Sequence, residues 1–307
     1  MALNTSKATV ILNDLTAKFD AAAKAATPFY PTISTIVNSD GADEKYGWLG
    51  DMPGMREYLG ERKFKELRGA TYTLANKHWE SSLAIPKNNI NDDRMGLYPP
   101  LMANLAAEAT YHPDELFFTS LINGETELCY DGQSFFDTDH VFGDSGTQSN
   151  DVSSTVVSTS AVTAAEMKTA IRAAIKQLMT FKNDQGKFVN RPTFHRLNDL
   201  VLLVPLELRD QTFDALESQL LGGGDSNVVI DKPQVVSSPH LTSGAKFYLF
   251  RTGQPLKPFV FQAREPLSRQ IKGLNDIETK DVKFMTEARY NVGYLMWQYA
   301  VLTTLTT

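Results

Sequence analysis

Apolar residues return at helical spacing at the start of the chain. Val10, Ile11, Leu15 and Phe19, followed by alanines and Thr27-Pro28, predict an amphipathic helix within residues 1–27. The period is then lost, because Pro28, Pro31, Gly41, Gly47, Gly50 and Pro53 predict irregular chain over 28–53. Five basic and three acidic side chains between Arg56 and Arg68 predict a solvated helix or strand edge. A period of two follows. Thr71 to Leu74, a turn at Asn76-Lys77, and a second run with Trp79, Ser81, Leu83 and Ile85 on one face predict a β-hairpin that Pro86 ends. Two strands with so little apolar surface are poorly stable alone. The hairpin must therefore lie on this chain's core or on a neighbour.

The helical period resumes after Asn91-Asp92-Asp93. Tyr98, Leu101, Met102, Leu105, Ala106 and Ala109 form a stripe, Pro99 and Pro100 suit a first turn, and Asn123-Gly124 stops the helix. Pro113 is expected to kink or interrupt it. Residues 129–160 read as loop, and Thr163 with Glu166 forms a capping box ahead of Met167, Ile171, Ile175 and Leu178. Leu200–Val204 reads as a buried strand, followed by Pro205 and a helix carrying Leu208, Phe213, Leu216 and Leu220 up to Gly222-Gly223-Gly224. Short strands are expected at Val228–Ile230, Val235-Val236 and Phe247–Phe250, and strand composition returns from Phe284 to Val301. Strands and helices interleave without a βαβ repeat, which predicts an α+β fold.

Composition narrows the class more than the chemistry. With 307 residues, 42% hydrophobic and 21% charged, the chain is globular and long enough for one large or two modest domains. One cysteine, Cys129, excludes an intrachain disulfide and a cysteine zinc cluster. No signal-peptide pattern and no transmembrane run is seen, so a soluble cytosolic product with no membrane association is expected. A net charge of −6 argues against nucleic-acid binding through a basic face. Residues 1–150 hold 12 basic against 21 acidic side chains and residues 151–307 hold 18 against 15, a complementarity that self-assembly could use.

Candidate chemistry is sparse. Asp137-Thr138-Asp139-His140 places two carboxylates and an imidazole close enough in sequence for a divalent metal, and equally suits an Asx-rich turn. Gly222-Gly223-Gly224-Asp225 lacks the lysine and the strand–helix context of a phosphate loop. Cys129 has no nucleophile motif, and His112 and His195 have no sequence partner. Tyr46, Trp48, Trp79 and Trp297 are aromatic anchors for either an interface or the core.

Several strings in order resemble one family. They are Glu44-Lys45-Tyr46-Gly47-Trp48-Leu49-Gly50, Met55-Arg56-Glu57-Tyr58, Gly60-Glu61-Arg62, Trp79-Glu80-Ser81 and Ile85-Pro86. Asn91-Asp92-Asp93, Gly96-Leu97-Tyr98, His112-Pro113-Asp114-Glu115-Leu116 and the run from Cys129 to His140 continue the series, and Lys257–Glu265 and Trp297-Gln298 complete it. Together they resemble the Mu-type major head (major capsid) subunit family of tailed bacteriophages, from about residue 40 onward, with 141–198 least alike.

That resemblance implies the Hong Kong 97 capsid fold. It maps 1–44 to an N-terminal arm and 45–90 to an extended β-hairpin loop reaching over a neighbouring subunit. It maps 91–159 and 256–307 to a peripheral domain with a spine helix over about 93–123, and 160–255 to an axial domain. It implies no catalysis and no cofactor, and a structural turn at Asp137, Asp139 and His140. The expected partners are further copies in hexamers and pentamers, a portal, a scaffolding protein, a maturation protease and a decoration protein. The shell would enclose double-stranded DNA without reading its sequence, assembling in the host cytoplasm and residing in the virion. The marginal self-burial of the loop nominates Tyr46, Trp48, Arg56, Arg62, Tyr72 and Trp79 as intersubunit contacts. Two alternatives carry distinct expectations: a tail or decoration protein, or a metal-dependent hydrolase using Asp137, Asp139 and His140.

Overall fold

The computed structural model describes residues 5–46, 72–91, 96–191, 197–217, 231–272 and 281–307. In chain order the elements begin with α1 (Thr5–Ala25), α2 (Tyr30–Ile33), β1 (Ser34–Asn38), β2 (Asp43–Tyr46), β3 (Tyr72–Ala75) and β4 (Lys77–Pro86). Next come α3 (Lys87–Asn91), α4 (Tyr98–Asn123), β5 (Asp151–Thr155), α5 (Ala164–Thr180), β6 (Leu200–Val204) and α6 (Arg209–Glu217). The last are β7 (Gln234–Ser237), β8 (Lys246–Arg251), β9 (Phe259–Lys272), β10 (Asp281–Tyr294) and β11 (Ala300–Thr306). The fold is α+β.

The most continuous apolar run, β6, is an interior strand of a five-stranded sheet ordered β5-β11-β8-β6-β7. All five of its residues are buried, as a strand covered on both faces requires. α5 packs on this sheet through Met167, Ile171, Ile175 and Leu178, and its capping box is complete: Glu166 N–H donates to Thr163 Oγ1, and Thr163 N–H donates to the Glu166 carboxylate. The sheet draws β5 from before residue 160 and β11 from after residue 255. The expected 160–255 unit therefore does not close on its own residues, since β8 needs β11 as its neighbour.

A second sheet of four strands is ordered β1-β9-β10-β4, with β1 parallel to β9 and the other pairs antiparallel. Here the predicted hairpin is corrected. β4 does turn Trp79, Ser81, Leu83 and Ile85 to the more buried face, but its partner is β10 along ten register pairs, not β3. β3 instead pairs with β2, from Asp43↔Ala75 to Tyr46↔Tyr72. Asn76 separates two strands in different sheets because its amide reaches back to Ser39 Oγ and the Gly41 carbonyl instead of closing a tight turn. β1 lies where irregular chain was expected; five residues sufficed because β9 supplies a ready-made edge.

β10 and β9 form a long antiparallel hairpin with register shifts on either side of Arg289. Pro266 sits at the first shift, where a missing N–H costs no ladder bond. Beyond Ala263, β9 has β10 on one side and no described partner on the other, and Arg264, Pro266, Arg269 and Lys272 stand along that edge.

α4 starts at Tyr98 with prolines in its first turn and runs through Pro113 without interruption. α1 lies along α4. Leu12, Leu15 and Phe19 meet Ile85, Met102, Ala106, Val282 and Phe284 in a small core separate from the main one. Val10, expected on the buried stripe, is 69% exposed, because Leu12 takes the inward position. The bend into α2 is fixed by Asp114, whose carboxylate accepts from the N–H groups of Phe29 and Tyr30. Among the described residues no helix is long and apolar enough to cross a membrane.

Candidate functional site

The acidic turn after α4 brings the Asp137 and Asp139 carboxyl groups together but commits His140 to other partners. His140 is 0% exposed and turned inward, whereas Asp139 is exposed and Asp137 half-buried. Asp137 and Asp139 share a side-chain hydrogen bond, which raises the Asp139 carboxyl above its ordinary range. Asp137 Oδ1 accepts from the Thr138 N–H at 2.6 Å, and Asp139 Oδ1 accepts from Gln133 Nε2 at 3.0 Å.

His140 enters a closed network. Its Nδ1 donates to Asp131 Oδ2 at 2.7 Å, and its Nε2 faces Asn150 Oδ1 at 3.2 Å. Its ring stacks on the Trp297 indole with centroids 4.1 Å apart and planes inclined by 10°. Asp131 Oδ1 accepts from the Cys129 thiol at 2.9 Å. Burial, with the Asp131 carboxylate beside it, pushes that thiol well above its ordinary range, so Cys129 is a donor and not a nucleophile.

Cys129, Asp131 and His140 bring one donor atom each within 4.8 Å of the others. The set does not fit a metal. Tetrahedral ligands at ~2.0–2.3 Å from an ion stand roughly 3.3–3.8 Å apart. These donors instead touch directly, at 2.7 and 2.9 Å, as hydrogen-bonded pairs do. The turn is a structural knot tying residues 129–150 to Trp297. Nothing local in the sequence flagged Asp131 or Trp297 as partners of His140; only the fold brings them together.

The aromatic residues nominated for contact divide. Tyr46 is 3% exposed, its hydroxyl donating to Gln262 Oε1 at 2.9 Å, and burial raises its phenol. Gln262 Nε2 in turn donates to the Leu74 carbonyl and to Asn76 Oδ1, pinning the β2/β3 stem to β9. The Tyr72 hydroxyl accepts from the Tyr294 N–H at 3.2 Å, and burial pushes its phenol up to about 12. A Cβ on Gly293 would stand 2.6 Å from that hydroxyl, so the stem seats on β10 only because residue 293 is glycine. Tyr46 is thus covered by its own chain, and Tyr72 is half-buried. Trp48, Arg56 and Arg62 lie outside the described residues, as do His195, the Gly222–Asp225 run and the expected strand at 228–230.

Trp79 is half-buried and borders an open groove of about 210 Å³ between α4 and the β4/β10 face. Its Nε1–H donates to the Tyr290 carbonyl at 3.0 Å, and its ring meets the His112 ring with centroids 4.4 Å apart. His112 Nδ1 and the Tyr290 hydroxyl share a hydrogen bond of 2.8 Å. Glu80, Glu108 and Glu115 stand at the same groove. No assembly of nucleophile, base and oxyanion donors occurs among the described residues.

The two sheets, the long helix beside them and the β2/β3 pair are the architecture of a bacteriophage shell subunit with the Hong Kong 97-like fold. The chain overlays a protein of the procapsid of bacteriophage JBD30 with a TM-score of 0.58 and 25% identity, over 97% of this chain and 75% of that one. The family model described as "Mu-like prophage major head subunit gpT" matches residues 9–165 and 242–306, and the chain belongs to that family. It is 40% identical over 148 residues to the Mu-like prophage FluMu major head subunit of Haemophilus influenzae, covering 48% of each chain. It is 39% identical over 111 residues to the major capsid protein of Escherichia phage Mu, covering 36% of each. These matches therefore span about half or less of the curated relatives. The family is one of structural head subunits, not enzymes.

Proposed function

We propose that this chain is the major capsid subunit of a tailed phage, closing in many copies into an icosahedral head around double-stranded DNA. The family match on both sides of residues 166–241 is the observation that carries this reading. Hexamers and pentamers of the chain tile the shell, while a portal, a scaffolding protein, a maturation protease and a decoration protein act at other steps. Assembly takes place in the host cytoplasm. A net charge of −6 suits a wall that encloses DNA without adhering to it or reading its sequence.

The peripheral unit is centred on α4 and the four-stranded sheet, and the axial unit on α5, α6 and β6–β8. Residues 47–71, carrying Trp48, Arg56 and Arg62, form the loop that contacts a neighbour, with half-buried Trp79 on the receiving side. Tyr46 and Tyr72 act as the stem that aims this loop. Support comes from their pairing: Tyr46 and Tyr72 are register partners, so the two positions that flank residues 47–71 lie side by side.

The same pairing dictates the experiment. Removing 70–85 would strip β3 and most of β4 from the core, so the informative variant replaces 48–70 by Asn-Gly, which suits a two-residue hairpin turn. The expected product melts like the full chain but forms no shells by electron microscopy under conditions where the full chain does. Normal shells from that variant would overturn the assignment of the loop.

A further inference from the structure

We infer that the groove between α4 and the β4/β10 face is a receptor for a lysine or arginine side chain of a second copy of this chain, supplied by its 56–68 run. The inference rests on the reading of residues 47–71 given above and names the surface that receives them.

The groove has the chemistry of a cation site. Trp79, His112 and Tyr290 line it as an aromatic cluster, with the indole N–H committed to the Tyr290 carbonyl and the imidazole Nδ1 to the Tyr290 hydroxyl. These bonds hold the half-buried Trp79 indole at the groove, and its π surface attracts cations. Glu80, Glu108 and Glu115 add three carboxylates from two elements, and among the described residues no lysine or arginine lines the groove. Among the described residues none of these glutamates has an ion-pair partner. Burial holds His112 below its ordinary range, so the groove does not neutralise itself at neutral pH.

Charge complementarity selects the occupant. From Leu101 to Asn150 the chain carries nine carboxylates and no lysine or arginine, and Glu108 and Glu115 belong to that stretch. Arg56, Arg62, Lys63, Lys65 and Arg68 place five cations in thirteen residues. Small-molecule cations offer no comparable multivalency, whereas subunits of a shell meet at high local concentration.

The test uses full-length subunits. Glu108→Gln with Glu115→Gln should leave the melting curve of the unassembled subunit unchanged and lower its assembly, read by sedimentation and electron microscopy, by ~10-fold. Glu108→Arg with Glu115→Arg should abolish shells. Adding Arg62→Glu, Lys63→Glu and Lys65→Glu to that same chain should bring them back. Folded glutamine variants that assemble within twofold of the parent would overturn the inference, as would a folded charge-swapped chain that stays unassembled. If the Asn-Gly loop replacement blocks shells while the glutamine variants do not, the loop assignment stands and the groove alone is rejected. If the loop replacement forms shells, the loop assignment itself has failed.

Discussion

The five-stranded sheet and the four-stranded sheet are held by different physics. In the first, β6, β8 and β11 are buried almost without interruption, and α5 seals one face with a complete N-cap. In the second, every residue of β9 from Glu265 to Lys272 is exposed, and a small satellite core and the Arg269–Asp20 ion pair join the sheet to α1. The first sheet spends its surface on itself. The second keeps surface in reserve: among the described residues, a strand edge without a partner and carboxylates without an ion pair. A subunit that must both fold alone and lock onto copies needs both kinds of region.

The largest test of this contrast is truncation in each core. Leu202→Ala, at a fully buried site in β6, should cost ~3–5 kcal/mol of global stability in urea unfolding. Leu15→Ala, in the satellite core, should cost less globally and act locally. It should raise amide exchange along α1 while β6 stays protected. Equal loss of protection in both regions would show one cooperative unit and remove the distinction.

A smaller effect is expected where the stem meets β10. Gly293→Ala puts a methyl group against Tyr72 and Leu74, which stand 2.6 and 3.0 Å from its position, and should cost ~1–3 kcal/mol. Adding Tyr72→Phe should recover part of that loss; a stem indifferent to both changes would mean it is not seated on β10.

The smallest effect is one of pH. His112, facing Trp79, Tyr290 and Glu115, has its imidazole held below the ordinary value of 6.5 by burial, against the opposing pull of Glu115. The unfolded chain therefore binds the proton more tightly. The contribution to stability is complete above the unfolded value and is lost as pH falls through the folded one. The melting temperature should fall more steeply on acidification below about pH 6.5 in the parent than in His112→Gln. Matching slopes would reject the assignment.

What the sequence revealed follows the range of the forces involved. The capping box of α5, the buried run of β6 and the proline-rich start of α4 are local signals, and each stands where periodicity and turn chemistry put it. Pairing is not local. The alternation of β4 gave its faces but could not show that β10, far along the chain, was its partner. β9 escaped notice because its outer half is charged and Pro266 breaks its alternation, while β1 was hidden by the breakers around it. The family strings pointed to the shell function, yet the Asp137–His140 string suggested a ligand set of which the turn pairs only Asp137 with Asp139 and gives His140 to Asp131. The groove beside Trp79 was invisible because Glu80, Glu108, His112 and Tyr290 meet only after β4, α4 and β10 are packed.

The outer edge of β9 has a consequence for the pool of subunits before any shell exists. A strand with no described partner on one side invites another strand, and at high concentration such pairing would draw chains into filaments. Pro266 at the register shift and the cations Arg264, Arg269 and Lys272 along that edge make it a poor template for growth. On the proposed reading, subunits can thus accumulate without sticking edge to edge, and the timing of assembly is left to interfaces that close.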